Sequence, residues 1–189
     1  MDKNLKKLLS EYHIDAQDRL IYIDESWREF AHNNAASELV GDSILNKSLW
    51  NFIAGKQVQH LYQMLLAKVR QSGQPAQVTF WCDAPHARRF LELTMTPDEE
   101  AGVQFHSWLI REEEREPIGL LEMTRKRTQE FLVICSWCKK VKLDEESWAE
   151  VEEAVKELGL FEATELPQLS HGMCPQCAQT WLSKLEDWR

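Results

Sequence analysis

The spacing of apolar residues changes several times along the chain, and each change marks an element. Leu5, Leu8, Leu9 and Tyr12 share one stripe of an amphipathic helix predicted over residues 1–13. Leu20 to Ile23 is an unbroken apolar run that predicts a strand. Asp24 stands where a cap is needed for a helix carrying Trp27, Phe30 and Ala31 and ending at His32-Asn33-Asn34. Gly41-Asp42 predicts a turn. Val58, Leu61, Tyr62, Leu65, Leu66 and Val69 recur at helical spacing, closed by Ser72-Gly73. The period then drops to two. Val78, Phe80 and Cys82 alternate with polar neighbours, as do Leu91, Leu93 and Met95, and the pattern returns over Val103 to Ile110. Residues 83–86 and 97–102 are turn chemistry, so the three runs predict an antiparallel meander. Its expected core is Val78, Phe80, Leu91, Leu93, Val103 and Phe105 against the long helix.

The charge run Arg111-Glu112-Glu113-Glu114-Arg115-Glu116, ended by Pro117, reads as a boundary or as a solvated strand end. Beyond it, Phe131 to Ile134 lead into a cysteine pair and Val141-Lys142-Leu143 lead out. Trp148, Val151, Val155 and Leu158 predict a helix with Gly159 just past its end. A loop with Pro167 then reaches a second cysteine pair, and a terminal helix carries Trp181, Leu185 and Trp188. The fold class is α+β. Three parts are expected: an N-terminal amphipathic helix over 1–13, a sheet domain over 14–116, and a small helix-containing module over 117–189.

Charge narrows the choice of partners. The 189 residues carry 22 basic against 31 acidic side chains, a net charge of −9. That balance disfavours nucleic-acid binding by broad phosphate neutralisation and docking on an anionic membrane. Residues 117–189 alone hold nine basic and thirteen acidic residues. No apolar window is long enough to span a bilayer, and the first residues lack a secretory signal, so a cytoplasmic location is expected. The five cysteines would then be reduced, and structural disulfides are not expected.

Four of those cysteines fall in two equal spacings, Cys135-x-x-Cys138 and Cys174-x-x-Cys177, with 35 residues between the pairs. A C-x-x-C turn aims two thiolates at one ion, and a second turn completes the tetrahedral shell that zinc prefers. Pro175 tightens the second turn, whereas Lys139-Lys140 follow the first where glycine is frequent. One structural zinc per chain on Cys135, Cys138, Cys174 and Cys177 is expected, and its binding would contribute directly to folding of residues 131–189. The sheet part is expected to keep its own core. Three other uses of the thiols are open: a redox switch that releases zinc on oxidation, an iron–sulfur cluster, and cysteines that serve only as core residues. His171 stands three residues before Cys174 and would ligate or support the metal.

Ile21-Tyr22-Ile23-Asp24-Glu25-Ser26-Trp27-Arg28-Glu29-Phe30-Ala31, Glu38-Leu39-Val40-Gly41-Asp42-Ser43 and Phe105-His106-Ser107-Trp108-Leu109-Ile110 resemble, in wording and order, the PAS sensory family over residues 14–115. The resemblance implies a sensor of small molecules, light, redox state or partners that passes a change in its sheet to flanking helices. Within it, residues 20–23 would form the first strand. Haem would call on His60 of the long helix, but that residue lies beside the apolar stripe. A photoactive flavin would call on a cysteine motif that Phe80-Trp81-Cys82-Asp83 does not supply. Neither haem nor flavin is therefore expected. The segments 134–142 and 170–177 resemble C-terminal cysteine modules of bacterial signalling proteins. The combined expectation is a non-enzymatic sensory or protein-interaction protein with structural zinc. Its output would pass through a partner protein or a homodimer, with the N-terminal helix as the dimer element. The alternative is a thiol redox sensor.

Overall fold

Period-two alternation over residues 76–114 folds into three antiparallel strands: β3 (Ala76–Trp81), β4 (Ala87–Pro97) and β5 (Val103–Glu114). The computed structural model describes residues 6–33, 36, 39 and 41–187. Leu5, Asn34, Glu38, Val40 and Trp188 lie outside the described residues, as does the side chain of Leu185. The architecture is α+β: a five-stranded antiparallel sheet and a four-stranded mixed sheet with helices packed against them.

Residues 7–14 correct the predicted N-terminal helix. They form strand β1 (Lys7–Ile14), antiparallel to both β5 and β2 (Leu20–Ile23). The strand over 20–23 is thus the second of the sheet rather than the first, and the order is β2-β1-β5-β4-β3. The reason is tertiary. The edge of β5 offers a full ladder of backbone partners, and Tyr12 stacks on Phe105 with centroids 4.5 Å apart. Burial falls on Ser10, Tyr12 and Ile14, an alternating set, and overrides the helical spacing of the leucines.

Helix α1 (Glu25–Asn33) starts at Asp24, whose carboxylate accepts from the Trp27 N–H at 2.7 Å. Helix α2 (Lys56–Ser72) lays Val58, Leu61, Leu65, Leu66 and Val69 on the sheet and ends at Gly73, where φ is 64°. Val78, Leu93, Val103 and Phe105 are buried there as expected; Leu91 is buried and Phe80 partly so. Met95 joins the same core.

The second sheet has the order β8-β7-β6-β9: β6 (Arg127–Cys135), β7 (Val141–Lys142), β8 (Trp148–Ala149) and β9 (Leu166–Gly172). Residues 166–172, expected as loop, pair parallel to β6. Helix α3 covers only Val151–Glu157, because Trp148 belongs to β8. Gly159 takes a φ of 63° past its end. Helix α4 (Pro175–Asp187) closes the chain. Ile118, Leu120, Ile134, Val141, Val151 and Leu166 form the core of this sheet.

The two sheets are locked together at several points. The Trp81 N–H at the end of β3 donates to the Trp137 carbonyl at 2.7 Å. Asp83, its side chain 1% exposed, lies 3.1 Å from Arg115 and 3.8 Å from Arg88. Those arginines reach Glu152 and Glu150 of the second part at 3.1 and 3.0 Å. Burial pushes the Asp83 carboxyl above its usual value, against the pull of Arg115, Arg88 and Lys139. The charge run is therefore the end of β5 followed by an anchored arginine. No described helix is long and apolar enough to cross a membrane.

Candidate metal centre

The first C-x-x-C turn is a knuckle at the end of β6. The Cys135 N–H donates to the Lys140 carbonyl at 2.8 Å, and the Lys139 N–H donates to the Cys135 carbonyl at 3.0 Å. Lys139 closes it with a φ of 63°, the left-handed conformation that glycine usually supplies. The second turn is a helix start. Pro175 occupies the first position of α4, where its missing N–H costs nothing, and the Ala178 N–H donates to the Cys174 carbonyl at 3.0 Å. Parallel pairing of β6 with β9 brings the turns together, and the Ser136 N–H donates to the Gly172 carbonyl at 2.9 Å.

The result is a four-thiol cluster. The sulfurs of Cys135, Cys138, Cys174 and Cys177 all lie within 4.8 Å of one another, with Cys138 and Cys174 3.7 Å apart. Four thiolates at about 2.3 Å from one tetrahedral ion would stand about 3.8 Å apart along each edge. The cluster thus fits one ion. A multi-iron cluster would interpose several ions and sulfides and hold the thiolates further apart. Backbone donors are in place for thiolate charge: the Cys174 N–H faces the Cys135 sulfur at 3.4 Å, and the Cys177 N–H faces the Cys174 sulfur at 3.5 Å. Cys135 and Cys174 are buried; Cys138 and Cys177 are half-buried.

Packed sulfurs shift one another's protonation. Bonds from the Cys138 and Cys177 thiols, with backbone N–H help, hold Cys135 well below the usual thiol value. Donation to Cys135 pushes Cys138 up to about 12, and bonds to Cys135 and Cys138 likewise raise Cys177. Without a cation one thiolate suppresses ionisation of its neighbours. A bound divalent ion removes that penalty and displaces the protons.

The centre is built into the main core. Cys135, Cys174, Trp137 and Trp181 belong to the same buried cluster as Val58, Leu61, Leu65 and Phe105. Trp137, between the first two ligands, packs 5.9 Å from Tyr62 of α2 and 5.1 Å from Trp181 of α4. Gly55, at a φ of 89°, abuts the end of β9: a Cβ there would meet the His171 carbonyl oxygen at 2.5 Å.

The other sequence candidates fall outside the cluster. His171 is exposed and is not among the clustered ligands. Desolvation and Lys139 hold its pKa below the usual value. Cys82 is a free thiol apart from the four. His60 is exposed on α2, and His106 lies on the other side of β5 from Phe105, 3.6 Å from Glu11. The positions of Trp137 and Gly55 were not anticipated. A glycine directly before a long apolar helix was the available signal for Gly55; nothing in the sequence marked Trp137 as the bridge to α2. The chain matches no protein-family model, and no curated protein matches it.

Proposed function

We propose that this chain is a cytoplasmic PAS-like sensory or protein-interaction protein. One zinc on Cys135, Cys138, Cys174 and Cys177 would fasten its C-terminal part, and its output would pass through a partner or a homodimer. The four-thiol cluster carries the reading, because its spacing suits a single tetrahedral ion. The PAS-like part of the reading draws on the sheet order β2-β1-β5-β4-β3, with α1 and α2 inserted between β2 and β3. Four thiolates would fill the ion's shell and leave no position for a reacting water, which favours binding over catalysis. The dimer element cannot be residues 7–14 as a free amphipathic helix, since Tyr12 and Ile14 are buried in the sheet. Exposed Met123, Phe131, Phe161 and Leu182 are the alternatives for partner contact.

Elemental analysis tests the reading. The wild type should carry one zinc per chain, Cys174→Ser should lose it, and Cys82→Ser should keep it. Retention of one equivalent by Cys174→Ser would remove the four-thiolate site. A redox role is favoured by the half-exposure of Cys138 and Cys177. It predicts zinc release under mild peroxide and rebinding after reduction.

A further inference from the structure

The contact between the cysteine knuckle and the sheet leaves a cleft of about 250 Å³. Its walls come from both parts of the chain: Val58 and Tyr62 from α2, Phe80 from β3, and Trp137 from the knuckle. The polar groups at its rim are few. Ser136, Lys139 and His171 all line it, and none is a carboxylate. The Tyr62 phenol is held protonated, with burial raising its pKa to about 12. Lys139 places its ammonium 2.9 Å from the Ser136 carbonyl and makes no ion pair with any described carboxylate. The nearby Asp83 is in direct contact with Arg88 and Arg115, and Lys139 acts on it only at longer range. The Trp137 indole nitrogen, in a side chain only 6% exposed, has no acceptor among the described residues. None of the four cysteines lines the cleft.

An apolar box with a lysine ammonium at its rim and no carboxylate in its lining suits a ligand with a flat apolar body and an anionic head. We infer that the cleft binds a small aryl carboxylate, its ring between Val58, Tyr62, Phe80 and Trp137 and its carboxylate toward Lys139. The size agrees: a dry cavity of about 150 Å³ holds one benzene, so 250 Å³ admits a ring with a short acid arm. The site goes beyond the sensory reading and does not depend on it, although it needs the knuckle in place. A smaller cavity of about 180 Å³, under α1, is lined by Ser10, Ser107 and aromatic rings with no charged group, and selects no ligand class.

The test uses the metal-loaded full chain, with metal content measured in every sample. Phenylacetate and its neutral counterpart phenylacetamide are titrated by calorimetry. Saturable phenylacetate binding is expected, at least about tenfold tighter than the amide, the difference one charge-assisted contact makes. Lys139→Asn, which tolerates the left-handed backbone, should remove that preference. Ala54→Trp, at an exposed lining position, should fill the cleft and abolish binding of both without emptying the core. Equal binding of acid and amide, no binding by protein that carries its metal, or full binding by Ala54→Trp would each overturn the inference. Loss of metal with loss of binding in the wild type would implicate the metal reading instead.

Discussion

Lys139 holds a left-handed backbone at φ 63° directly after a candidate ligand. For a residue with a Cβ this conformation costs roughly 1–2 kcal/mol, and for a β-branched residue more. Lys139→Gly should therefore leave stability within about 1 kcal/mol of wild type, strain relief offsetting the glycine's extra chain entropy. Lys139→Val should be less stable than Lys139→Gly by about 1–2 kcal/mol. Urea unfolding of the metal-loaded variants reads both, and equal stability of the two would contradict the left-handed turn. Two tyrosines give a second test at this scale. Desolvation raises Tyr12 well above its ordinary 10.0, with Tyr62 adding to it, and raises Tyr62 to about 12, with Cys82 adding. Their folded pKa values exceed the unfolded ones. The stability they contribute is thus complete below pH 10 and is lost as pH rises from about 10 toward 12. Phenolate absorbance should show both rings ionising together with unfolding, and Tyr62→Phe should shift the alkaline midpoint upward. Ionisation of Tyr12 and Tyr62 in the folded state near pH 10 would contradict their burial.

At the level of elements, the junction between α2 and β9 depends on a residue without a side chain. Gly55 has a φ of 89° and leaves no room for a Cβ against the His171 carbonyl. Gly55→Ala should cost about 1–3 kcal/mol and weaken metal retention, because the same strand end leads into Cys174. Competition with a metal-sensing dye, alongside thermal unfolding, checks both effects; an unchanged variant would mean that α2 does not abut β9. Much of this architecture was legible in the sequence. The meander showed itself because one face of β3, β4 and β5 is apolar and the other polar. The cysteine pairs showed themselves because ligand geometry fixes their spacing. The hidden elements failed for local reasons. β1 buries polar Ser10 on its inward face, which breaks the alternation, while Leu8, Leu9 and Tyr12 happen to satisfy a helix. In β9 only Leu166 is fully buried, and Pro167 reads as loop. β8 is two residues long, so Trp148 looked like the first turn of α3. The Asp83–Arg115 contact joins residues 32 positions apart, and no local pattern announces it.

Across the whole molecule, the placement of the cysteines decides how metal loss is felt. The sequence suggested a sheet with its own core and a separate metal module. Cys135, Cys174, Trp137 and Trp181 pack in the core that holds α2 on the sheet, while the second sheet has a core of its own around Ile134 and Val151. Backbone, ionic and aromatic contacts cross the junction at Trp81, at Arg88 and Arg115, and at Tyr62. Structural zinc contributes on the order of 10–16 kcal/mol to folding of zinc-finger peptides, comparable to the whole stability of a domain. Stripping the ion, or Cys174→Ser, should therefore lower the unfolding midpoint of the whole chain. Far-ultraviolet circular dichroism and tryptophan fluorescence should fall in one coincident transition, and limited proteolysis should open sites in α2 as well as after Pro117. Should the apo protein instead keep residues 7–114 protease-resistant at the holo midpoint while only the C-terminal part is cut, the shared core would not be cooperative. The junction at Trp137 would then be a docking contact between independently folding parts.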